Sequence, residues 1–112
     1  MQKTYKIGAL VTLLSVSLLG GMSVHAESGD LIVSQKNRTY APKAVTLKKG
    51  ESLKIINDDI FLHHTYIKSD KLEYDSGSQK EGVVIEIPFK LAGNYEVLCA
   101  IHPKMKLDVT VE

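Results

Sequence analysis

The sequence predicts an all-β fold of about seven strands, a sandwich or barrel by its strand pattern, with a Greek-key β-sandwich as the expected arrangement. Three observations support it. Short runs rich in β-branched residues alternate with Gly, Pro and Asn turn signals. No apolar stripe of helical period and useful length occurs beyond residue 26. The runs Tyr95–Cys99 and Lys106–Val111 alternate apolar and polar side chains, the two-residue period of a half-buried strand.

Residues 1–26 stand apart from that pattern. Lys3 and Lys6 precede an apolar run from Ile7 to Met22, and Val24-His25-Ala26 supplies the small residues of a signal-peptidase site. This segment reads as a secretory signal peptide cleaved after Ala26, with a retained membrane anchor as the alternative. The expected domain is 27–112. Removing 26 of the 112 residues leaves 86, enough for one small domain, with twelve basic against thirteen acidic residues. That near-neutral balance argues against nucleic acid, which calls for a clustered basic surface. Membrane contact is expected only through the signal peptide. The expected location is the periplasm.

The strands follow in order. Leu31-Ile32-Val33 is the first. Tyr40-Ala41-Pro42-Lys43 reads as a bend, followed by Ala44–Leu47 and the turn Lys48-Lys49-Gly50-Glu51. Ser52–Asn57 is next, broken by Asn57-Asp58-Asp59, and the chain resumes through His63 to Lys68. The polar stretch 69–82, with Gly77 and Gly82, is the longest irregular segment and has room for a short helical turn. Val83–Ile87 is a strand stopped by Pro88, and Ala92-Gly93-Asn94 turns into Tyr95–Cys99. Lys106–Val111 closes the domain with Leu107, Val109 and Val111 facing inward. The expected core is Ile32, Val45, Leu47, Leu53, Ile55, Val84, Ile87, Tyr95, Val97, Val109 and Val111.

Chemistry concentrates in Cys99-Ala100-Ile101-His102-Pro103-Lys104-Met105, where a thiolate, an imidazole and a thioether recur at intervals of three. Far upstream, Leu62-His63-His64 offers a further imidazole. One Cys, two His and a weak Met form the ligand set of a blue-type electron-transfer copper site. Two imidazoles and one thiolate in a trigonal arrangement, with a long axial thioether, suit both Cu(I) and Cu(II). Cys99 is the sole cysteine, so it has no disulfide partner within the chain, and metal binding protects a lone thiol in an oxidising compartment. Strands Ser52–Asn57 and Tyr95–Leu98, if parallel neighbours, would bring both ligand segments to one pole of the sandwich. The bland alternatives are a buried Cys, a surface His and a core Met, brought together by coincidence.

On these residues the chain resembles the cupredoxins, specifically the plastocyanin-like and amicyanin-like proteins. The pattern Tyr-x-x-x-Cys-x-x-His-Pro-x-Met, here Tyr95, Cys99, His102, Pro103 and Met105, has the short ligand loop of the amicyanin type. Gly93-Asn94-Tyr95 resembles the start of the family's Cys-bearing strand, and the segment from Asn57 to His64 resembles the one carrying its first histidine ligand. Asp75-Ser76-Gly77-Ser78 is similar to a segment of plastocyanin-like proteins associated with methylamine utilisation. The resemblance implies one copper ion held by His63, Cys99, His102 and Met105. It departs from the family at His64, where an Asn usually ties the two ligand loops together. The His64 ring replaces that tie, is a solvated neighbour, or takes the ligand place of His63.

The function expected is a type 1 copper electron carrier, shuttling one electron between periplasmic redox partners such as a cytochrome c-type protein or a dehydrogenase or oxidase. Two other readings stand beside it: copper storage or delivery, against which Met105 is the only methionine beyond residue 26, and a structural or adhesive β-domain. An enzymatic role is not expected, since a copper of this type has its positions filled. Ala100, Ile101 and Pro103 around His102 form an expected apolar docking patch, with Lys104 and Lys106 steering an acidic partner.

Overall fold

The computed structural model describes residues 23–25 and 31–112. Of the predicted signal peptide, only Ser23–His25 is therefore described; the rest of that segment and the cleavage point after Ala26 lie outside the described residues.

The chain forms β1 (Ser23–His25), β2 (Leu31–Lys36), β3 (Thr39–Ala41), β4 (Ala44–Leu47), β5 (Ser52–Asn57), β6 (Thr65–Lys68), β7 (Glu73–Asp75), β8 (Val84–Pro88), β9 (Gly93–Cys99) and β10 (Lys106–Val111). They make two sheets, of order β1-β4-β10-β9-β6-β7 and β3-β2-β5-β8, which sandwich one apolar core. The predicted all-β sandwich is the one observed, and the described strands outnumber the seven expected. The three extra ones are short: β1 lies within the predicted signal peptide and pairs with β4, β3 occupies part of the predicted bend, and β7 lies within the stretch expected to be irregular. Gly50, at φ +90°, takes the left-handed position that the β4–β5 turn requires.

Two members of the predicted core point outward. Leu31 and Val33 face inward on β2, so the pleat turns Ile32 to solvent at 57 % exposure. On β8 the inward positions are Ile85 and Ile87, which leaves Val84 51 % exposed. The other predicted core positions are buried, joined by Tyr40 and Phe89, which the alternation of the strands did not reveal. The Phe89 ring meets Tyr95 edge-on at 5.2 Å between centroids.

The predicted pairing of β5 with β9 is also corrected. These strands lie in different sheets: β5 runs between β2 and β8, and β9 between β10 and β6. The candidate ligand segments still converge, because the chain crosses between sheets after Asn57 and enters β6. There Thr65 pairs with Cys99.

Candidate metal centre

The crossing from β5 to β6 is shaped by Asn57, whose side chain is fully buried. Its Nδ2 donates to Phe61 O at 2.9 Å and Gln79 O at 2.8 Å, and its Oδ1 accepts from Asp59 N–H at 2.8 Å. His63 then bridges to Gln79 through paired backbone hydrogen bonds of 3.0 and 2.7 Å. Because side chains alternate along the extended chain, His63 and Thr65 face the interior and His64 faces away. Thr65 sits opposite Cys99, so His63 and Cys99 reach the same pole.

The Cys99–Met105 loop curls back over that pole. Ala100 N–H donates to His64 O at 2.8 Å, and Met105 N–H donates to His102 O at 2.9 Å, closing the turn. Cys99 Sγ lies 3.7 Å from His63 Nδ1 and 3.7 Å from His102 Nδ1, and the two Nδ1 atoms are 3.2 Å apart. The point equidistant from the corners of that triangle is about 2.1 Å from each, within the roughly 2.0–2.3 Å of transition-metal bonds to imidazole and thiolate. The three atoms therefore fit around one ion. Met105 is buried at the end of the same loop.

Protonation states favour binding as well. Asp59, almost wholly buried, accepts from Asn37 N–H at 2.8 Å and Arg38 N–H at 2.9 Å, and meets His63 Nε2 at 2.8 Å. Burial alone would push its carboxyl up. The hydrogen bonds from Arg38, His63 and Asn37 outweigh this and hold it below the usual carboxylate range. An ionised carboxylate only accepts, so the His63 proton sits on Nε2 and the Nδ1 lone pair is free for a metal. Burial, with the His63 ring and the Arg38 charge nearby, holds His102 below the ordinary imidazole value, so its ring is neutral near pH 7.

The ties between the two ligand segments run through the His64 backbone. Its N–H donates to Cys99 Sγ at 3.4 Å and its carbonyl accepts from Ala100. The ring instead turns to Asp75 Oδ1, at 2.5 Å. Ser76, in the segment noted for its resemblance, braces β6 by accepting from Thr65 N–H at 2.9 Å.

His63, Cys99 and His102 thus come together, and Met105 lies in the loop that carries two of them. Missed were Asp59, Asn57, Gln79 and the Arg38–Phe61 pair. For Asp59 a signal existed: a carboxylate four residues before a candidate ligand.

Residues 28–112 match the family model described as copper binding proteins, plastocyanin/azurin family. The amicyanin of Paracoccus versutus is 26 % identical over 105 residues, which cover 91 % of this chain and 78 % of that protein. Among solved structures, a reduced tryptophan-to-tyrosine mutant of amicyanin superposes with a TM-score of 0.71 at 23 % identity, covering 78 % of this chain and 86 % of that one. A copper-containing nitrite reductase from Thermus scotoductus gives a TM-score of 0.73 at 18 % identity, covering 81 % of this chain. This chain spans only 28 % of that reductase, and the likeness is one of fold. The chain belongs to the plastocyanin/azurin family of copper-binding proteins, as an amicyanin-like cupredoxin whose cofactor is one copper ion.

Proposed function

We propose that this protein is a one-electron carrier, with no catalysis of its own, that holds copper through His63, Cys99, His102 and Met105. The triangle of two Nδ1 atoms and Cys99 Sγ, sized for one ion, is the observation that carries this reading. Bound there, copper supplies a Cu(I)/Cu(II) couple. Asp59 fixes the His63 tautomer, and the His64 N–H stabilises negative charge on Cys99 Sγ. His63 is 0 % exposed, while Cys99 and Met105 are each 2 % exposed. His102 is half-buried, so its ring is the exit to the surface. Ile60, Phe61, Leu62 and Ile101 are exposed at this pole and form the apolar contact for transient redox proteins. Residues 1–26 supply export to the periplasm, and cleavage after Ala26 removes the edge strand β1 and leaves 27–112 as the working domain.

The purified protein is expected to turn intensely blue with Cu(II), bleach with ascorbate and recover its colour with an oxidant. Cys99→Ser should abolish the colour. A wild-type protein that stays colourless and retains only Cu(I) would overturn the carrier in favour of copper storage or delivery.

A further inference from the structure

We propose that Arg38 selects a redox partner whose electron-exchange face carries carboxylates; this rests on the carrier function above. The observation behind it is a backbone conformation that the side chain disfavours. β2 and β3 are joined by a two-residue turn, Asn37-Arg38, since Lys36 pairs with Thr39. Both turn residues are left-handed, at φ 52° and 56°. Asn tolerates this conformation, but glycine is the residue that fits the second position. Arg38 occupies it with a full side chain.

Asp59 makes that possible, because its carboxylate accepts from the N–H groups of both turn residues while also holding His63. The turn is thereby fixed to the metal pole. From it the Arg38 guanidinium lies 3.9 Å above the Phe61 ring, and Phe61 meets the His102 ring edge-on at 6.4 Å between centroids. A surface hollow at the His102 edge is lined by Arg38, Ile101, His102, Pro103 and Lys104, two cations and no carboxylate. Of the acids on the neighbouring loop, Asp59 is buried and Asp58 is engaged by Ser34 Oγ. Among the described residues Arg38 is exposed and forms no ion pair. Stacking on Phe61 holds its planar fork at the rim, where a partner carboxylate can take it bidentately. An acidic face is thus guided to the exposed His102 edge, and a basic one is turned away.

The test uses the reduced holoprotein and two one-electron oxidants of opposite charge, hexacyanoferrate(III) and tris(1,10-phenanthroline)cobalt(III), followed by stopped flow. Each takes one electron from Cu(I), giving Cu(II) and the hexacyanoferrate(II) or cobalt(II) complex. At low ionic strength Arg38→Gln and Arg38→Gly should slow the anionic oxidant by roughly three- to tenfold and speed the cationic one. The difference should vanish in high salt, as exposed charges are screened. Lys49→Gln carries the same charge change on the β4–β5 turn, at the opposite pole, and should move neither rate by more than about 1.5-fold. Arg38→Gly suits the turn, so it keeps the test free of a folding defect. A short poly-aspartate peptide added to the 15N-labelled protein should shift the resonances of Arg38, Phe61 and Lys104 first. Equal rate changes in the Arg38 and Lys49 variants, or peptide shifts spread over the surface, would overturn the role of Arg38 and leave the carrier standing. A Cu(I) protein that neither oxidant can oxidise would remove the carrier function and this inference with it.

Discussion

Asp59→Asn tests how the metal pole is organised. In the native protein Asp59 Oδ2 receives both the Arg38 N–H and the His63 ring, and Oδ1 receives the Asn37 N–H. An amide of the same shape has only one acceptor oxygen. With its NH2 at the Oδ2 position it confronts the Arg38 N–H, and the His63 ring must accept at Nε2, which moves the ring proton to Nδ1. That is the atom facing Cys99 Sγ and His102 Nδ1. With the NH2 at the Oδ1 position, the Asn37 N–H loses its acceptor instead. Loss of such an orienting partner lowers metal affinity by about 10–100-fold, or about 1.4–2.7 kcal/mol. A buried donor left unmet costs the metal-free protein about 1–3 kcal/mol. The reduction potential should rise, because a negative charge that favours Cu(II) is gone. Competition with a chromophoric Cu(I) chelator measures the first effect, urea unfolding of the reduced apoprotein the second and voltammetry the third. Asp58→Asn, one residue away, keeps an acceptor oxygen for Ser34 Oγ; it is the control and should stay within about 0.5 kcal/mol. Affinity within twofold of wild type, with unchanged apoprotein stability, would refute the claim that Asp59 sets the His63 tautomer.

Three further substitutions probe the surroundings. Burial pushes the Tyr40 phenol up to about 12, against the polar side chains of Thr65 and Gln35 beside it that act to lower it, and its hydroxyl donates to Leu98 O at 3.2 Å. The folded state holds this proton more tightly than the unfolded chain, so its contribution is complete below pH 10 and is lost as pH rises toward 12. That loss amounts to roughly 2–3 kcal/mol, and a Tyr40→Phe protein measured by urea unfolding from pH 9 to 12 should lack this part of the alkaline decline. His64→Ala should keep the blue absorption, since the backbone of residue 64 and not its ring contacts Cys99 Sγ, whereas His63→Ala should abolish it. A colourless His64→Ala protein would exchange the assigned roles of the two histidines. Asp75 is held below the usual carboxylate range by the Gly77 N–H and then by His64, so whatever this exposed pair adds is present at neutral pH and lost on acidification.

Much of the molecule was legible because its information is local. A thiolate, an imidazole and a thioether three residues apart need no tertiary knowledge to read, and neither does the alternation of Leu107, Val109 and Val111. Ile32 shows where local information fails. In Leu31-Ile32-Val33 all three side chains are apolar, and only the register of β2 on β5, Leu31 opposite Leu53 and Val33 opposite Ile55, decides which face is inside. Val84 beside Ile85 is the same ambiguity on β8. The partner of β9 was unreadable for another reason: which strands pair depends on the route of the crossing loop, and Asn57 shapes that route through a hydrogen bond to Gln79, 22 residues away. Arg38 and Phe61 are far apart in the chain and carry no joint signature. They meet because Asp59 draws the β2–β3 turn toward His63.

The two histidines are held very differently. His63 is fixed by Asp59 at its ring and by Gln79 along its backbone, and Gln79 is itself tied to β5 and to the residue preceding β8 through Ile55 O at 3.2 Å and Val83 O at 2.9 Å. Gln35 Nε2 donates to Thr65 Oγ1 at 2.9 Å, which donates to Gln79 Oε1 at 3.2 Å, linking β2 to β6 across the sandwich. Displacing His63 would therefore leave several buried polar groups unpaired at about 1–3 kcal/mol each, more than a change in one metal–ligand bond length can recover. His102 sits on a loop secured by the Ala100 and Met105 N–H groups, with one side open to solvent. If His63 and His102 hold copper as proposed, an adjustment that accompanies a change of its oxidation state would fall on the Cys99–Met105 loop, with His63 as the fixed reference. His102 is also the histidine nearest the proposed docking surface, so contacts made by a partner at Arg38 and Ile101 would bear on the less rigidly held side of the site.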